Sequence, residues 1–224
     1  MAPSLSIGAY MQPLYGILKT SFNSGLASEL AAVFAAPLNI VSNQPSFVND
    51  TLSLRRRTAS QGVQRWEIET NIAPTNNSAS FFLNNIVSGH VDKMYVRMPQ
   101  IPGITRLKGG PDEAENLNVT LVNNAAKGAV LFNVTGLSGN NFGAGEFIKF
   151  ETDSKIYVIV DPGVDGLNVQ LHPPLRANVP IGTKVWYGSK VTLTARYDPD
   201  IALGLKFIDG ILADPGTIKL VEAL

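Results

Sequence analysis

Between Val119 and Tyr197 the chain runs through seven short segments, VTLVN, AVLFNVTG, EFIKFET, KIYVIVD, NVQLHPP, KVWYG and KVTLTARY, separated by Gly-Asn-Asn, Thr-Asp-Ser, Pro-Gly-Val-Asp-Gly and Pro-Ile-Gly. Segments this short, alternating at period two and broken by residues that supply turn geometry, exclude a helical bundle. They predict a small β barrel or sandwich, and the part from about 130 to 188 has the size of a compact five-stranded barrel. The prolines of LHPPLRANVPIGTKVWYG fix extended and turn conformations, which makes that stretch a strand, a bend, a glycine turn and a closing strand.

Upstream, TLSLRRRT and VQRWEIETNI also alternate, with Trp66, Ile68, Thr70 and Ile72 on one face and Arg65, Glu67 and Glu69 on the other. Ser60-Gln61-Gly62 between them suggests a β-hairpin. KMYVRMP (93–99) reads as a strand, whereas the periodicity of SASFFLNNIVSGH fits a strand or a short helix equally. Leu26, Leu30, Val33 and Phe34 recur at helical spacing after Asn23 or Ser24, so a short amphipathic helix ending at Pro37 is expected. The closing TIKLVEAL is strand-like. With no repeat and no low-complexity linker, the arrangement expected is one module inserted in another: 118–188 as a small barrel within a domain made of 1–117 and 189–224.

A chain of 224 residues can bury a substantial core without staples, and it has no cysteine to make any. Thiol nucleophiles, Cys-containing zinc sites and disulfides are excluded together. Eighteen basic residues balance eighteen acidic ones, which gives no footprint for nucleic acid, so no sequence-specific readout is expected. Charged residues are 16% of the chain, below the usual share of about a quarter, which suits a surface covered by other protein. The most apolar window (25–41) holds Glu29 and Pro37 and falls short of the ~20 apolar residues of a span, so neither a membrane span nor a secretory signal is expected.

Residues with chemistry are sparse. The two histidines, His90 and His172, fall in different modules, which argues against a histidine metal site or a catalytic pair. Asp161 with Asp165, and Asp198 with Asp200, lack the regular spacing of a calcium loop and read as turn residues that bond their own backbone. The glycines of 139–145 lack the Lys-Ser/Thr of a phosphate loop, and no G-x-S-x-G is present. No cofactor and no catalytic set are expected. Arg55, Arg56 and Arg57 form the one basic run; on a strand Arg55 and Arg57 share a face, where pairing with Glu67 or Glu69 across strands or subunits is expected. Trp66, Trp186 and Tyr187 fit a packed core, or a sugar-stacking surface if exposed.

Taken in order, GEFIKFETDSKIYVIVDPGVDGLNVQLHPPLRANVPIGTKVWYG resembles a small β module of tail proteins in tailed bacteriophages. The Gly145-Glu146-Phe147-Ile148 turn leads to a strand with Lys155 and Tyr157, then to Pro173, Pro174, Leu175, Arg176, Val179 and Gly182. LSLRRRTASQGVQRWEIET is similar to the hairpin preceding that module in distal-tail and tail-tube-like baseplate proteins. The resemblance covers 52–70 and 136–187. It implies a mainly β virion protein of the tail tip or baseplate, made in the host cytoplasm: a tube-like β-sandwich or split barrel carrying an inserted small barrel, with one or two short helices. A ring, commonly hexameric, joining tail tube to baseplate or hub is implied, with other tail proteins as partners. The interface residues expected are Arg55, Arg57, Trp66, Arg176, Trp186 and Tyr187, with 51–57 and 64–71 in the ring wall. A glycan-binding module using Trp186 and Tyr187 is the alternative, and a cell-wall hydrolase a more distant one.

Overall fold

The computed structural model describes residues 15–18, 30–50, 56–60, 63–73, 92–99, 117–201, 204, 206–208, 212–214 and 216–223. It is mainly β, and its centre is a closed six-stranded barrel. The wall is made of β1 (Gly16–Leu18), β2 (Leu30–Asn43), β5 (Arg65–Ile72), β6 (Met94–Arg97), β14 (Thr192–Tyr197) and β17 (Thr217–Glu222), in the order β1-β2-β5-β17-β14-β6. All neighbours are antiparallel, and β6 returns to β1 to close the ring. Closure leaves no edge in the wall. The interior holds Ile17, Phe34, Trp66, Ile68, Ile72, Val96, Leu193, Ala195, Ile218 and Leu220. At Gly16 a Cβ would lie 2.1 Å from the Ala32 carbonyl oxygen, so only glycine lets β1 approach β2 there.

Period-two alternation predicted the inward face of β5 correctly: Trp66, Ile68, Thr70 and Ile72 are all buried. The helix expected up to Pro37 is not formed over its described part. Residues 30–43 are instead one long strand, and among the described residues the only helical segment is a 3-10 turn at Gly188–Lys190. Ala31, Ala32 and Phe34 are buried against the barrel neighbours, and this tertiary packing overrides a local pattern that also fits a helix. Pro37, which has no N–H for the ladder, sits where the β2–β5 register shifts between Ala35 and Asn39.

The hairpin expected between 51–58 and 63–72 is a correction of a different kind. Strand β4 (Arg56–Ser60) pairs with β3 (Ser46–Asp50), not with β5. The chain reverses between Asp50 and Arg56, so β3 prolongs β2 and β4 leads into β5. The β2–β5 pairing of the barrel wall ends at Asn43 and Arg65, and after a break in the ladder β3 and β4 pair as a separate two-stranded ribbon.

The second sheet has the order β13-β10-β11-β12-β8, from β8 (Leu131–Phe132), β10 (Phe147–Phe150), β11 (Ile156–Asp161), β12 (Val169–His172) and β13 (Val185–Tyr187). Strand β7 (Thr120–Leu121) joins its two ends. It pairs with β9 (Val134–Thr135), which follows β8 directly, and it exchanges backbone bonds with the β13 side, Leu121 N–H to Thr183 O and Val185 N–H to Val119 O. Inside lie Phe132, Phe142, Ile148, Phe150, Tyr157, Ile159, Leu171 and Tyr187. A short hairpin of β15 (Lys206–Ile208) and β16 (Leu212–Asp214) completes the described strands. The segments 74–91 and 100–116, including His90 and the ambiguous SASFFLNNIVSGH, lie outside the described residues.

Candidate functional site

The second sheet meets the barrel at the start of β11, and the contact is built around a buried ion pair. Lys155 Nζ lies 2.6 Å from Glu222 Oε2, with side chains 4% and 0% exposed. The same ammonium donates to Gln64 O at 3.0 Å. Glu222 also accepts the backbone N–H of Trp66 at 3.1 Å and of Ile156 at 3.4 Å. The Trp66 indole N–H donates to Ile156 O at 3.1 Å, and its ring stands edge-on to Phe147 at 5.6 Å. Ile156, Phe147 and Val158 belong to the second sheet yet pack into the barrel's core. Burial pulls the Lys155 ammonium below its usual range, a pull that Glu222 opposes.

A second tier lies directly behind. Asp153 accepts the Tyr157 hydroxyl at 2.7 Å, the Arg176 guanidinium at 2.6 Å and the Lys155 backbone N–H at 3.1 Å. The Arg176 N–H donates to the Tyr157 oxygen at 3.1 Å. Burial pushes the Tyr157 hydroxyl well above its ordinary value. Lys155, Tyr157 and Arg176, recurring residues of the resemblance, therefore share one network. It closes on the chain itself, and what it does is hold the second sheet in one orientation on the barrel.

The expected interface residues are dispersed over this frame. Trp66 is buried at the seam, and Arg176 is half-exposed beside Asp153. Alternation along β13 splits the other aromatic pair: Tyr187 points into the core, edge-on to Phe142, while Trp186 is half-buried. Lys184 and Lys190 place their ammonium groups 5.3 and 5.9 Å from the Trp186 ring centroid. Lys149 sits opposite Trp186 and donates to Thr192 O at 3.1 Å. Arg57 faces Asn49 across the ribbon, and Arg55 lies outside the described residues.

Among the described residues, Glu67 meets two cations, Arg65 and Lys219. Its carboxylate accepts Arg65 Nε at 2.7 Å and Asn43 Nδ2 at 2.7 Å, and Lys219 Nζ lies 3.2 Å away. Lys219 reaches on to Asp198 at 3.0 Å. The placement is topological: β17 and β2 flank β5, which brings Lys219 and Asn43 beside Glu67. Burial tends to raise the Glu67 carboxyl, but the three donors outweigh it and hold it below the usual range. The bond from Lys219 lowers Asp198, and Asp198 with Glu67 raises Lys219.

The acidic loops are turns. Asp161 accepts the Gly163 N–H at 2.9 Å and Asp198 the Asp200 N–H at 3.2 Å. Among the described residues no three His, Cys, Asp or Glu side chains gather to hold a metal ion. His172 Nε2 lies 2.8 Å from Gln44 Nε2, which links β12 to the foot of the ribbon. Glu222, Asp153 and Gln64 escaped the sequence reading. The signal for Glu222 was its position in KLVEAL, a carboxylate in an apolar strand, which must find a partner when buried. Neither protein-family models nor curated proteins give a match to this chain.

Proposed function

We propose that the chain is a non-enzymatic structural subunit of a bacteriophage tail tip or baseplate, which assembles with copies of itself into a ring joining tail tube to baseplate or hub. The observation that carries this reading is the ribbon. Past the end of the β2–β5 pairing at Asn43 and Arg65, a separate pair of strands runs from Ser46 opposite Ser60 to Asp50 opposite Arg56, about 16 Å of two-stranded sheet at ~3.3 Å per residue. Among the described residues no other strand pairs with β3 or β4. A lone two-stranded ribbon is marginal in water, and its open edges pair readily with another chain. Such an arm suits a subunit whose fold is completed by its neighbours. The closed barrel supports it as a wall element, and the buried seam supports it as a rigid one.

The tail-tube likeness of the barrel, the hexameric count and the tail partners belong to this proposal and rest on the resemblance. A glycan platform of Trp186 and Tyr187 loses support, because Tyr187 is in the core. Electron microscopy and light scattering of the purified protein test the proposal. Ring particles are expected, and isolated tail-tube or baseplate proteins should bind them. A strict monomer at high concentration that binds no tail protein overturns it.

A further inference from the structure

The ion pairs described above differ in their access to water. Arg65 is half-exposed beside Glu67, Arg176 is 39% exposed beside Asp153, and Lys219 is 30% exposed between Glu67 and Asp198. At the seam both partners are dry, Lys155 at 4% and Glu222 at 0%. This pair also has the chemistry to react. A guanidinium keeps its protons, whereas an ammonium that gives one up in an apolar site becomes a nucleophilic amine.

The two groups are held for that reaction. Lys155 Nζ is 2.6 Å from Glu222 Oε2, which with a C–O bond of ~1.2 Å puts it within about 3.8 Å of the carboxyl carbon. Reactants fixed near ~3–3.5 Å with good alignment reach effective concentrations of about 10⁵–10⁸ M. Gln64 O restrains the same nitrogen at 3.0 Å. Each carboxyl oxygen has its own backbone donor, Trp66 N–H on Oε2 at 3.1 Å and Ile156 N–H on Oε1 at 3.4 Å. Fixed N–H groups in a water-excluded site stabilise an oxyanion as it forms. The charged pair is the costly form here, and burial already draws the ammonium towards the neutral amine.

We propose that Lys155 and Glu222, once the barrel has closed, condense to an intramolecular isopeptide bond. Lys155 Nζ passes one proton to Glu222 Oε2, and its lone pair attacks the carboxyl carbon. The negative charge gathers on Oε1, against the Ile156 N–H. A second proton then moves from the nitrogen to the Oε2 hydroxyl, the bond from carbon to Oε2 breaks, and one water leaves. The ammonium and the carboxylate supply every atom, so no other reagent is needed. The product ties β11 of the second sheet to β17, the last strand of the wall, across 67 positions of sequence. The ion pair is the state in which the chain folds, and the amide is the state into which it matures. This step is independent of the ring-subunit reading, and either can fail alone.

Intact-mass spectrometry of the full chain, followed over days of incubation, tests it. The folded parent should become lighter by one water, and chain held unfolded in urea should keep its full mass. Trypsin should then leave Lys155 uncut and release one branched peptide, residues 150–176 joined to 220–224. Lys155→Arg keeps the charge without the nucleophile and should keep its full mass, with thermal unfolding showing that it folds. Where that variant does not fold, the branched peptide of the parent decides. A folded parent that retains its full mass overturns the proposal. So does a loss of water that persists in folded Lys155→Arg, or one whose peptides are unbranched, since the dehydration then lies elsewhere.

Discussion

Removing the Lys155 ammonium gives the sharpest test of how the two sheets are joined. In Lys155→Met, Glu222 stays buried with its charge uncompensated, and Gln64 O loses its donor. Breaking a buried ion pair from one side costs about 3–5 kcal/mol. Adding Glu222→Gln to Lys155→Met removes the stranded charge. The amide oxygen can still accept the Trp66 N–H, while its NH2 then faces the weaker, 3.4 Å donor at Ile156. That mismatch and the unpaired Gln64 carbonyl leave a net loss of about 1–2 kcal/mol. The double variant should therefore be more stable than Lys155→Met by about 2 kcal/mol, a coupling typical of residues in direct contact. Urea titration followed by tryptophan fluorescence measures this, since Trp66 lies at the seam. A cost under about 1 kcal/mol for Lys155→Met, or a double variant less stable than the single, would refute the seam as a desolvated charge site.

Three further outcomes follow from the same geometry. Tyr157→Phe removes the hydroxyl that accepts Arg176 N–H and donates to Asp153, and should cost about 1–3 kcal/mol in the same titration. Lys219→Met should cost about 1–2 kcal/mol at neutral pH. Glu67 and Asp198 are lowered in the folded state, so their stabilisation is present above the unfolded value near 4 and lost as pH falls through the folded values. The raised Lys219 contributes fully below an unfolded value of about 10.4 and loses its contribution as pH rises through the folded one. The variant's stability should accordingly fall less than the parent's below pH ~4, as thermal unfolding across pH will read. Gly163→Ala forces a side chain onto the Leu167 carbonyl at φ 65° and should cost at least about 1 kcal/mol; an unchanged midpoint would disprove the tightness of that turn.

The legible part of this fold was the part whose neighbours do not matter to its pattern. The inward faces of β5, β10, β11 and β14 repeat at two, and the turns between them carry Gly, Asn, Asp and Pro. Strand β2 was misread because Leu30, Val33 and Phe34 satisfy a helical spacing as well as a strand, and only β1 and β5 on either side decide between the two. The hairpin was misassigned because pairing is a choice of partner that one strand does not encode: β4 takes β3, on its N-terminal side, and not β5. For the site, Lys155, Tyr157 and Arg176 stood out as a set, but Asp153 and Glu222, which make them a network, did not. Glu222 is 67 residues from Lys155 in sequence, and nothing local announces that they meet.

The last strand of the barrel sets a clock. During synthesis β5 emerges long before β17, with Asn71 and Thr217 separated by 146 positions, and until β17 arrives β5 and β14 face an open slot in the wall. Long-range strand closure of this kind is slow compared with the local pairings of the second sheet. Glu222 rides on the same strand, so one event fills the slot and supplies the counter-charge that Lys155 has been waiting for. A chain that has not finished folding thus lacks both its wall and the fixed seam between its two sheets.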